Sequence, residues 1–440
     1  MLLEHGFGRE RAGHPARSKG AIVNGSRSRR RFGLRGLAGI VAVVLLLPVL
    51  LAGCSIPERS VAVPEDRTTE AVIPGMPANI RFFVDMDPQP FIDEAAASLE
   101  RARAWRAGQG QTGPLPPATF LAVSGGGDNG AFAAGLLKGW TEAGDRPVFD
   151  GISGVSTGAL IAPLAFLGPE YDQTLREAYT NISQRDIFLA RRITAVFFDD
   201  ALADTQPLFN LVSSIITAEF LAKVAAEYHK GRLLLVGTTD LDARQPVIWN
   251  MTAIANVGTP AALQLFRKIL VASSSVPGGF PPVMIDVEVA GKPYQEMHVD
   301  GGAMTQVFLY PPQLNLRNLA AKMSPDRKRV LYVIRNARLA PDWASVDRQT
   351  LSIAFRAVDS LLHTQGLGDL HRIYLTAQRD GLDYNLAYIS TDFTTRRNER
   401  FETAYMRSLF DYAYEKARHG YPWQKYPPGF SPGATPAGGS

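Results

Sequence analysis

The chain has 440 residues, of which 46% are hydrophobic and 20% are charged, so it is typical of a globular protein with a large core and not of a disordered chain. Its formal net charge of +4 comes from residues 1–53, which carry nine Lys and Arg residues but only two acidic ones. From Cys54 onward there are 37 basic and 40 acidic residues, a balance that argues against a nucleic-acid partner.

Residues 1–53 are typical of a signal peptide. After the basic residues, an uncharged run, LAGIVAVVLLLPVLLAGC, extends from Leu37 to Cys54. The run is short for a membrane span and contains Pro48, which favours a cleaved signal over the alternative, an uncleaved anchor. LAGC, at its end, resembles the bacterial lipobox, whose cysteine is lipidated. We therefore expect Cys54, the only cysteine, to anchor the protein to a membrane of the bacterial cell envelope, facing the periplasm or the outer surface.

Residues 54–117 are expected to form an N-terminal approach segment that ends in a linker. A helix is predicted at Pro90–Ala107, where apolar residues recur at helical spacing. GQGQTGPLPP, at Gly108–Pro117, is a linker by composition.

Residues 118–395 are assigned to one domain, because strand and helix patterns alternate along them. The predicted strands are TFLAVS, VFDGISGVS, Arg232–Leu241, Glu296–Gly302 and Arg329–Arg335. Helices are predicted at AFAAGLLKGWTEAG, TGALIAPLAFLG and residues 350–366. Uninterrupted apolar strands between helices predict an α/β fold with a mainly parallel central sheet. A C-terminal helix is predicted within residues 396–426, and residues 427–440 are expected to be disordered.

The segment SGGGDNGAF, Ser124–Phe132, joins the first strand to its helix. Gly125, Gly127 and Gly130 fit G-x-G-x-x-G, and Asp150 follows at the distance expected of a ribose-binding acid in a dinucleotide fold. Asp150 stands early in its strand, however, whereas the ribose-binding acid belongs at the strand's end. Dinucleotide binding is therefore kept as a minor alternative.

The segment GVSTG, Gly154–Gly158, lies between the second strand and its helix, where G-x-S-x-G predicts a nucleophile elbow. Such a turn lifts the Ser156 hydroxyl above the sheet. Acyl transfer also needs N–H donors for the tetrahedral oxyanion, and the glycine loop on the neighbouring strand could supply them.

A serine nucleophile needs a proton acceptor, and none of the five histidines after Cys54 has a recognisable catalytic setting. HVDGG, His298–Gly302, offers Asp300, which could take the Ser156 proton directly if burial raises its pKa. The alternative is a plain turn aspartate, as D-G sequences often are. We interpret His298 as a packed residue.

Three segments resemble, in the same order, the motifs of the patatin-like phospholipases. They are the glycine loop at Gly125–Gly130, the elbow at Gly154–Gly158 and the D-G-G that begins at Asp300. Between them, ASSSVPGGFPPV at Ala272–Val283 resembles the block of small residues and prolines that precedes the family's aspartate. The resemblance covers roughly Thr119–Gln306.

The resemblance implies a three-layer α/β/α fold and a lipid acyl hydrolase with a Ser156–Asp300 dyad that acts on phospholipids or other acyl esters. It implies no cofactor and no metal ion. The oxyanion hole is expected among the backbone N–H groups of Gly125, Gly126, Gly127, Asp128, Asn129 and Gly130. The chain departs from the family at Asn129, where Arg or Lys is common, and in AMTQVF, which replaces the usual continuation toward Asn-Pro after the D-G-G.

A second hypothesis keeps the same fold without the reaction. In it, the chain is a non-catalytic envelope lipoprotein that binds lipid or a protein partner.

Overall fold

The computed structural model describes residues 59–190, 201, 203–323 and 327–430, which belong to one compact unit, Ile56–Ser440. The expected signal peptide, Cys54 and residues 431–440 lie outside the described residues. Of the tail expected to be disordered, residues 427–430 are described, and the Phe430 ring packs against that of Tyr374 with 4.9 Å between centroids.

Among the described residues, nine strands form one sheet and two short strands form another. The strands are β1 (Arg81–Phe82), β2 (Ala118–Val123), β3 (Gly151–Val155), β4 (Leu189–Ala190), β5 (Ala203–Asp204), β6 (Leu233–Asp240), β7 (Gln245–Asn250), β8 (Val283–Val289), β9 (Lys292–Asp300), β10 (Arg329–Arg335) and β11 (Asp383–Tyr388). The main sheet has the order β1-β7-β6-β3-β2-β10-β11, and β9 pairs with both β6 and β8. The five strands from β6 to β11 in that order are parallel, whereas β1, β7, β8 and β9 pair antiparallel.

The helices lie on both faces of the sheet. They are α1 (Gln89–Gly108), α2 (Gly130–Ala143), α3 (Thr157–Leu167), α4 (Asp172–Thr180), α5 (Gln184–Ile187), α6 (Gln206–Ile215), α7 (Ala218–His229), α8 (Met251–Val257), α9 (Pro260–Ser273), α10 (Leu316–Met323), α11 (Thr350–Asp380) and α12 (Thr403–Arg418). One core contains Val236 and Trp249 with residues of α2, α3, α9 and α12, and the other contains Leu235 and Ile248 with residues of α1 and α11. Successive strand residues thus point to opposite faces, and the predicted α/β fold is confirmed.

The predicted helix at residues 350–366 continues to Asp380 in the structure. Gly366, the last residue of the predicted helix, lies inside α11, where an added Cβ would collide with the Arg335 guanidinium. The absent side chain therefore leaves room for the Arg335 guanidinium against α11, and the glycine does not end the helix. The helix ends instead at Gly381, which has a φ of 69°, a left-handed conformation that favours glycine.

Within the described ranges, no single helix is long and apolar enough to cross a bilayer, although α6 and α7, bent by 64°, pass that test of length and composition as a pair.

Helices α2 and α12 cross at two glycines of α2. A Cβ on Gly135 would collide with the carbonyl oxygen of Phe410, and one on Gly139 with that of Tyr414. The absent side chains therefore let the two backbones approach each other closely, which helps to seat α12 beside the helix that follows the glycine loop.

This crossing predicts opposite effects for two Gly→Ala substitutions in helices. Gly135→Ala should lower the free energy of unfolding by about 2 kcal/mol, because overpacking against a backbone carbonyl outweighs the gain in helix propensity. Gly368→Ala in α11, where nothing lies within 4 Å of the added Cβ, should instead raise it by about 0.5–1 kcal/mol. Urea unfolding of both variants measures the difference, and equal stability of the two would contradict this account.

Candidate active site

Ser156 occupies the turn between β3 and α3. Its backbone has a φ of 55° and a ψ of −127°, a conformation that is costly for a residue with a side chain. A Cβ on Gly154 would collide with the carbonyl oxygen of Gly158, and one on Gly158 with that of Val123. Both flanking glycines are therefore required by close backbone contact, and the turn has the geometry predicted for a nucleophile elbow.

Asp300 lies beside this turn because β9 takes the place of β3 next to β6. The last residue of β3, Val155, pairs with Gly237 of β6, and the next residue of β6, Thr238, pairs with Asp300. The chain leaves the sheet at Ser156, and the end of β9 fills the position that β3 would have continued into. The two residues, 144 positions apart in sequence, are thereby brought together.

The Asp300 carboxylate is buried, with only 4% of the residue exposed, and it lies close enough to Ser156 for that side chain to influence its pKa. The N–H of Gly302 also donates to its Oδ1 at 2.7 Å. Burial raises the pKa of the Asp300 carboxyl to about 7, although the Ser156 side chain and the Gly302 N–H both act to lower it. A carboxyl with this pKa can both accept and return a proton near neutral pH.

Ser273, the last residue of α9, connects the elbow to β6 through two hydrogen bonds. Its hydroxyl accepts a hydrogen bond from the Ser156 N–H at 3.0 Å and donates one to the Gly237 carbonyl at 2.7 Å. It belongs to the small-residue block that the sequence analysis linked to the family, but that analysis assigned no role to this residue.

Only some N–H groups of the glycine loop lack an acceptor within the described part of the chain. Those of Gly125, Asn129 and Gly130 donate to the carbonyls of Gln306, Gly126 and Gly127, respectively. The N–H groups of Gly126, Gly127 and Asp128 have no acceptor within the described part of the chain. Gly126 and Gly127 are also half-exposed, so of the six residues expected to form an oxyanion hole these two are the best placed to donate.

Asn336, which directly follows β10, fixes the start of the loop. Its N–H donates to the Ser124 hydroxyl at 2.8 Å and its side-chain amide to the Ser124 carbonyl at 2.9 Å. A Cβ on Gly126 would collide with the Asn336 carbonyl oxygen, which explains why this position requires glycine. Asn336 is fully buried, and the sequence analysis did not identify it.

The C-terminal segment fixes the other end of the loop. Arg397 forms an ion pair with Asp128 at 2.5 Å, and the Phe401 N–H donates to the second oxygen of the same carboxylate at 3.1 Å. The Tyr405 hydroxyl donates to the Asn129 side chain at 2.7 Å. The acidic residue of the loop is therefore compensated by a cation from 269 residues further along the chain.

Gln306, in the AMTQVF segment that departs from the family, connects the glycine loop to the Asp300 turn. Its carbonyl accepts the Gly125 N–H at 3.1 Å, and its side-chain amide donates to the Gly302 carbonyl at 3.1 Å. Its own N–H donates to the buried Asp369 carboxylate at 2.7 Å. The departure in sequence thus coincides with a residue that joins the two halves of the site.

His298 is fully buried and lies two residues before Asp300, as expected for a packed residue. Its Nδ1 is hydrogen-bonded to the Thr238 hydroxyl at 2.9 Å and its Nε2 to Glu296 at 3.1 Å. Among the described residues, Asp240, Glu296 and His298 are the group whose ligand atoms could hold a metal ion, since these atoms lie within 4.8 Å of one another. Arg81 already forms a buried ion pair with Glu296, so one of the two carboxylates is compensated by a side chain of the protein.

Comparison with known proteins supports an assignment of the domain. Residues 121–310 match the family model described as patatin-like phospholipase. Among solved structures, the chain is similar to VipD from Legionella pneumophila, with a TM-score of 0.34 and 11% identity over 70% of this chain and 67% of that one. It is also similar to human GIVD cytosolic phospholipase A2, with a TM-score of 0.28 and 10% identity over 69% of this chain and 54% of that one. No curated protein matches it by sequence.

The raised pKa of Asp300 predicts a pH-dependent cost in stability. In the unfolded chain this carboxyl has a pKa of about 4, so on raising the pH it ionises in the unfolded state before it ionises in the folded state. The contribution of Asp300 to the free energy of unfolding is therefore fully present below pH 4 and is lost as the pH rises toward 7. Asp300→Asn cannot ionise and should therefore exceed the wild type in free energy of unfolding at pH 8 by up to about 4 kcal/mol.

Urea unfolding at pH 5 and pH 8 tests this, and the gain should be clearly smaller at pH 5. Asp286→Asn, at an exposed position of β8, is the control and should show no such change. A gain for Asp300→Asn that is the same at both pH values would contradict the assigned pKa.

Proposed function

We propose that this protein, whose residues 121–310 match the family model described as patatin-like phospholipase, hydrolyses acyl esters of lipids through a Ser156–Asp300 dyad. The observation that carries the proposal is the strand register at the elbow, which sets Ser156 beside a buried carboxyl whose pKa is about 7. At neutral pH a large fraction of this carboxyl is ionised, and it is a stronger proton acceptor than an exposed aspartate.

In the first half of the reaction, the Ser156 hydroxyl oxygen attacks the carbonyl carbon of the acyl ester while its proton passes to the Asp300 carboxylate. The resulting tetrahedral intermediate carries its negative charge on the former carbonyl oxygen. When it collapses, the bond to the alcohol breaks, and the leaving oxygen takes the proton from Asp300. The acyl group then remains on Ser156.

In the second half, a water molecule attacks the acyl carbon and Asp300 accepts its proton. Collapse of the second intermediate releases the fatty acid and returns the proton to the Ser156 oxygen. The same carboxyl therefore acts twice as base and twice as acid, for which a pKa near the working pH is suited.

The oxyanion formed in both halves would be stabilised by the N–H groups of Gly126 and Gly127. These are the half-exposed donors of the loop without an acceptor in the described chain. A donor of this kind is typically worth about 3 kcal/mol of transition-state stabilisation. The contacts of Asn336 and Arg397 keep the donors in place before substrate arrives, so no reorganisation is needed in the reaction.

We further propose that Cys54 is lipidated and holds the domain at a bacterial envelope membrane. The support is the lipobox-like LAGC after a basic and then apolar leader, together with the absence of any other cysteine in the sequence. Anchoring would raise the effective concentration of a membrane lipid at the site without any additional contact to the substrate.

Ser156→Ala should abolish the release of fatty acid and labelling by a fluorophosphonate probe, because both require the nucleophile. Fatty acid released from a panel of phospholipids and short acyl esters is the measurement. Ser214→Ala, at an exposed serine of α6, should behave as the wild type.

Over the same panel, the rate of the wild type should increase with pH through about 7, because only the ionised Asp300 accepts the Ser156 proton. Asp300→Asn should be inactive at every pH. Folded wild type that binds lipid, releases no fatty acid and is unaffected by Ser156→Ala would instead favour the non-catalytic lipid-binding protein.

Cys54→Ser should prevent lipidation of the chain, because it removes the atom that would carry the lipid. Incorporation of a labelled fatty acid into the chain measures lipidation directly, and Ser55→Ala is the neighbouring control. A Cys54→Ser chain that incorporates the label as the wild type does would exclude this residue as the attachment site.

A further inference from the structure

The first half of α11 is more exposed than its second half. From residue 352 to residue 365 every residue is at least partly exposed within the described part of the chain, whereas burial begins at Gly366 and recurs at Leu370 and Ile373. We call residues 352–365 the projecting half of α11. A helix of 31 residues is thus packed on the sheet over only its second half.

The projecting half extends from the edge of the sheet at which the candidate active site lies. Helix α11 connects the parallel strands β10 and β11, and it ends just before Asp383, which pairs with Val330 at the start of β10. Gly366 packs against Arg335, the last residue of β10. The projecting half, about 20 Å long, therefore continues beyond the carboxyl ends of the strands, where Ser156 follows β3.

The projecting half is amphipathic, and its apolar side chains are accessible. Phe355, Val358 and Leu362 follow helical spacing along one face, with Leu361 beside them. The exposed fractions are 39% for Phe355, 41% for Val358 and 69% for Leu361. The opposite face carries polar residues, among them Arg356 and Asp359, which form an ion pair at 3.3 Å.

Trp343, on a segment beside the projecting half, is a further exposed apolar residue. It is 89% exposed, the largest exposed fraction among the large apolar residues of the described chain. The Arg356 guanidinium donates a hydrogen bond to the carbonyl of the neighbouring residue, Asp342, which ties the tryptophan's segment to the helix. Tryptophan is the residue that membrane proteins place at the boundary between lipid and water.

We propose that the projecting half of α11, with Trp343, docks on the surface of a phospholipid bilayer and brings the active-site edge of the sheet onto the lipid. The proposal rests on the proposed function, because the substrate of that reaction resides in the bilayer. An amphipathic helix with bulky apolar groups on one face and ionic groups on the other is suited to lie in the plane of the interface. A second copy of the chain could also cover the helix, but dimerisation would not explain why the helix lies at the active-site edge of the sheet.

Site-specific fluorescence tests the docking without depending on turnover. Because Cys54 is the only cysteine, Leu361→Cys in a full-length Cys54→Ser, Ser156→Ala chain can carry one environment-sensitive dye. Leu375→Cys is the matched control, since Leu375 lies in the packed half of the same helix and is 65% exposed. Vesicles of equal parts phosphatidylethanolamine and phosphatidylglycerol should shift the emission to the blue at position 361 and leave it unchanged at position 375.

Activity supplies a second measurement. Val358→Glu combined with Leu361→Glu should reduce hydrolysis of the vesicles at least tenfold, because two apolar groups that enter lipid are replaced by charges. Hydrolysis of a soluble short-chain ester should stay within about twofold of the wild type, because neither residue contacts Ser156 or Asp300. Leu375→Glu should leave both rates unchanged.

Three results would overturn the docking proposal. One is an emission at position 361 that stays water-like on vesicles while the wild type hydrolyses them, and another is an equal shift at both positions. The third is a concentration-dependent dimer in sedimentation that Leu361→Glu abolishes, with no effect of vesicles. Failure of the proposed reaction would look different, because the wild type would then hydrolyse neither vesicles nor the soluble ester while the dye at position 361 still reported docking.

Discussion

Strand β9 takes the position beside β6 that β3 vacates at the elbow, and the rest of the site depends on this exchange. The same turn that lifts Ser156 out of the sheet opens a place at Thr238 for Asp300. The position is buried, which raises the pKa of the carboxyl to about 7. One topological step therefore accounts both for the contact between the two residues and for the protonation behaviour that the proposed reaction uses.

The glycine loop shows how a short, side-chain-poor segment is held rigid by distant parts of the chain. Asn336 fixes its start, Gln306 joins it to the Asp300 turn, and Arg397 neutralises Asp128. Glycine-rich segments can adopt many φ and ψ values, but these contacts restrict the loop to one conformation. In it, two accessible N–H groups have no acceptor within the described chain. Electrostatic stabilisation is effective only when the donors are fixed before charge develops, so these remote residues matter to the proposed chemistry as positioning residues.

The two proposed contacts with the membrane have different physical roles. A lipid on Cys54 would restrict the domain to a layer near the bilayer but would leave its orientation free. The projecting half of α11 would orient the domain with its active site toward the bilayer, because it extends from the same edge of the sheet as Ser156. An acyl hydrolase whose substrate tail is insoluble requires both proximity and orientation, and neither contact alone supplies both.

Local patterns in the sequence were sufficient for five strands of the main sheet and for the two chemical motifs, whereas β1, β7, β8 and β11 were not predicted. Apolar strands followed by helices predicted the parallel α/β sheet, and the glycines of Gly154–Gly158 and Gly125–Gly130 indicated sharp turns, because steric limits on a tight turn act between residues close in sequence. The partners of those turns could not be predicted in this way. The positions of Ser273, Gln306, Asn336 and Arg397 depend on which strands become neighbours and on how α12 packs, and a side chain that donates one hydrogen bond across the fold leaves no periodic signal. The extension of α11 beyond Gly366 was likewise decided by tertiary packing, since only the folded protein places Arg335 where a side chain at that glycine would collide with it.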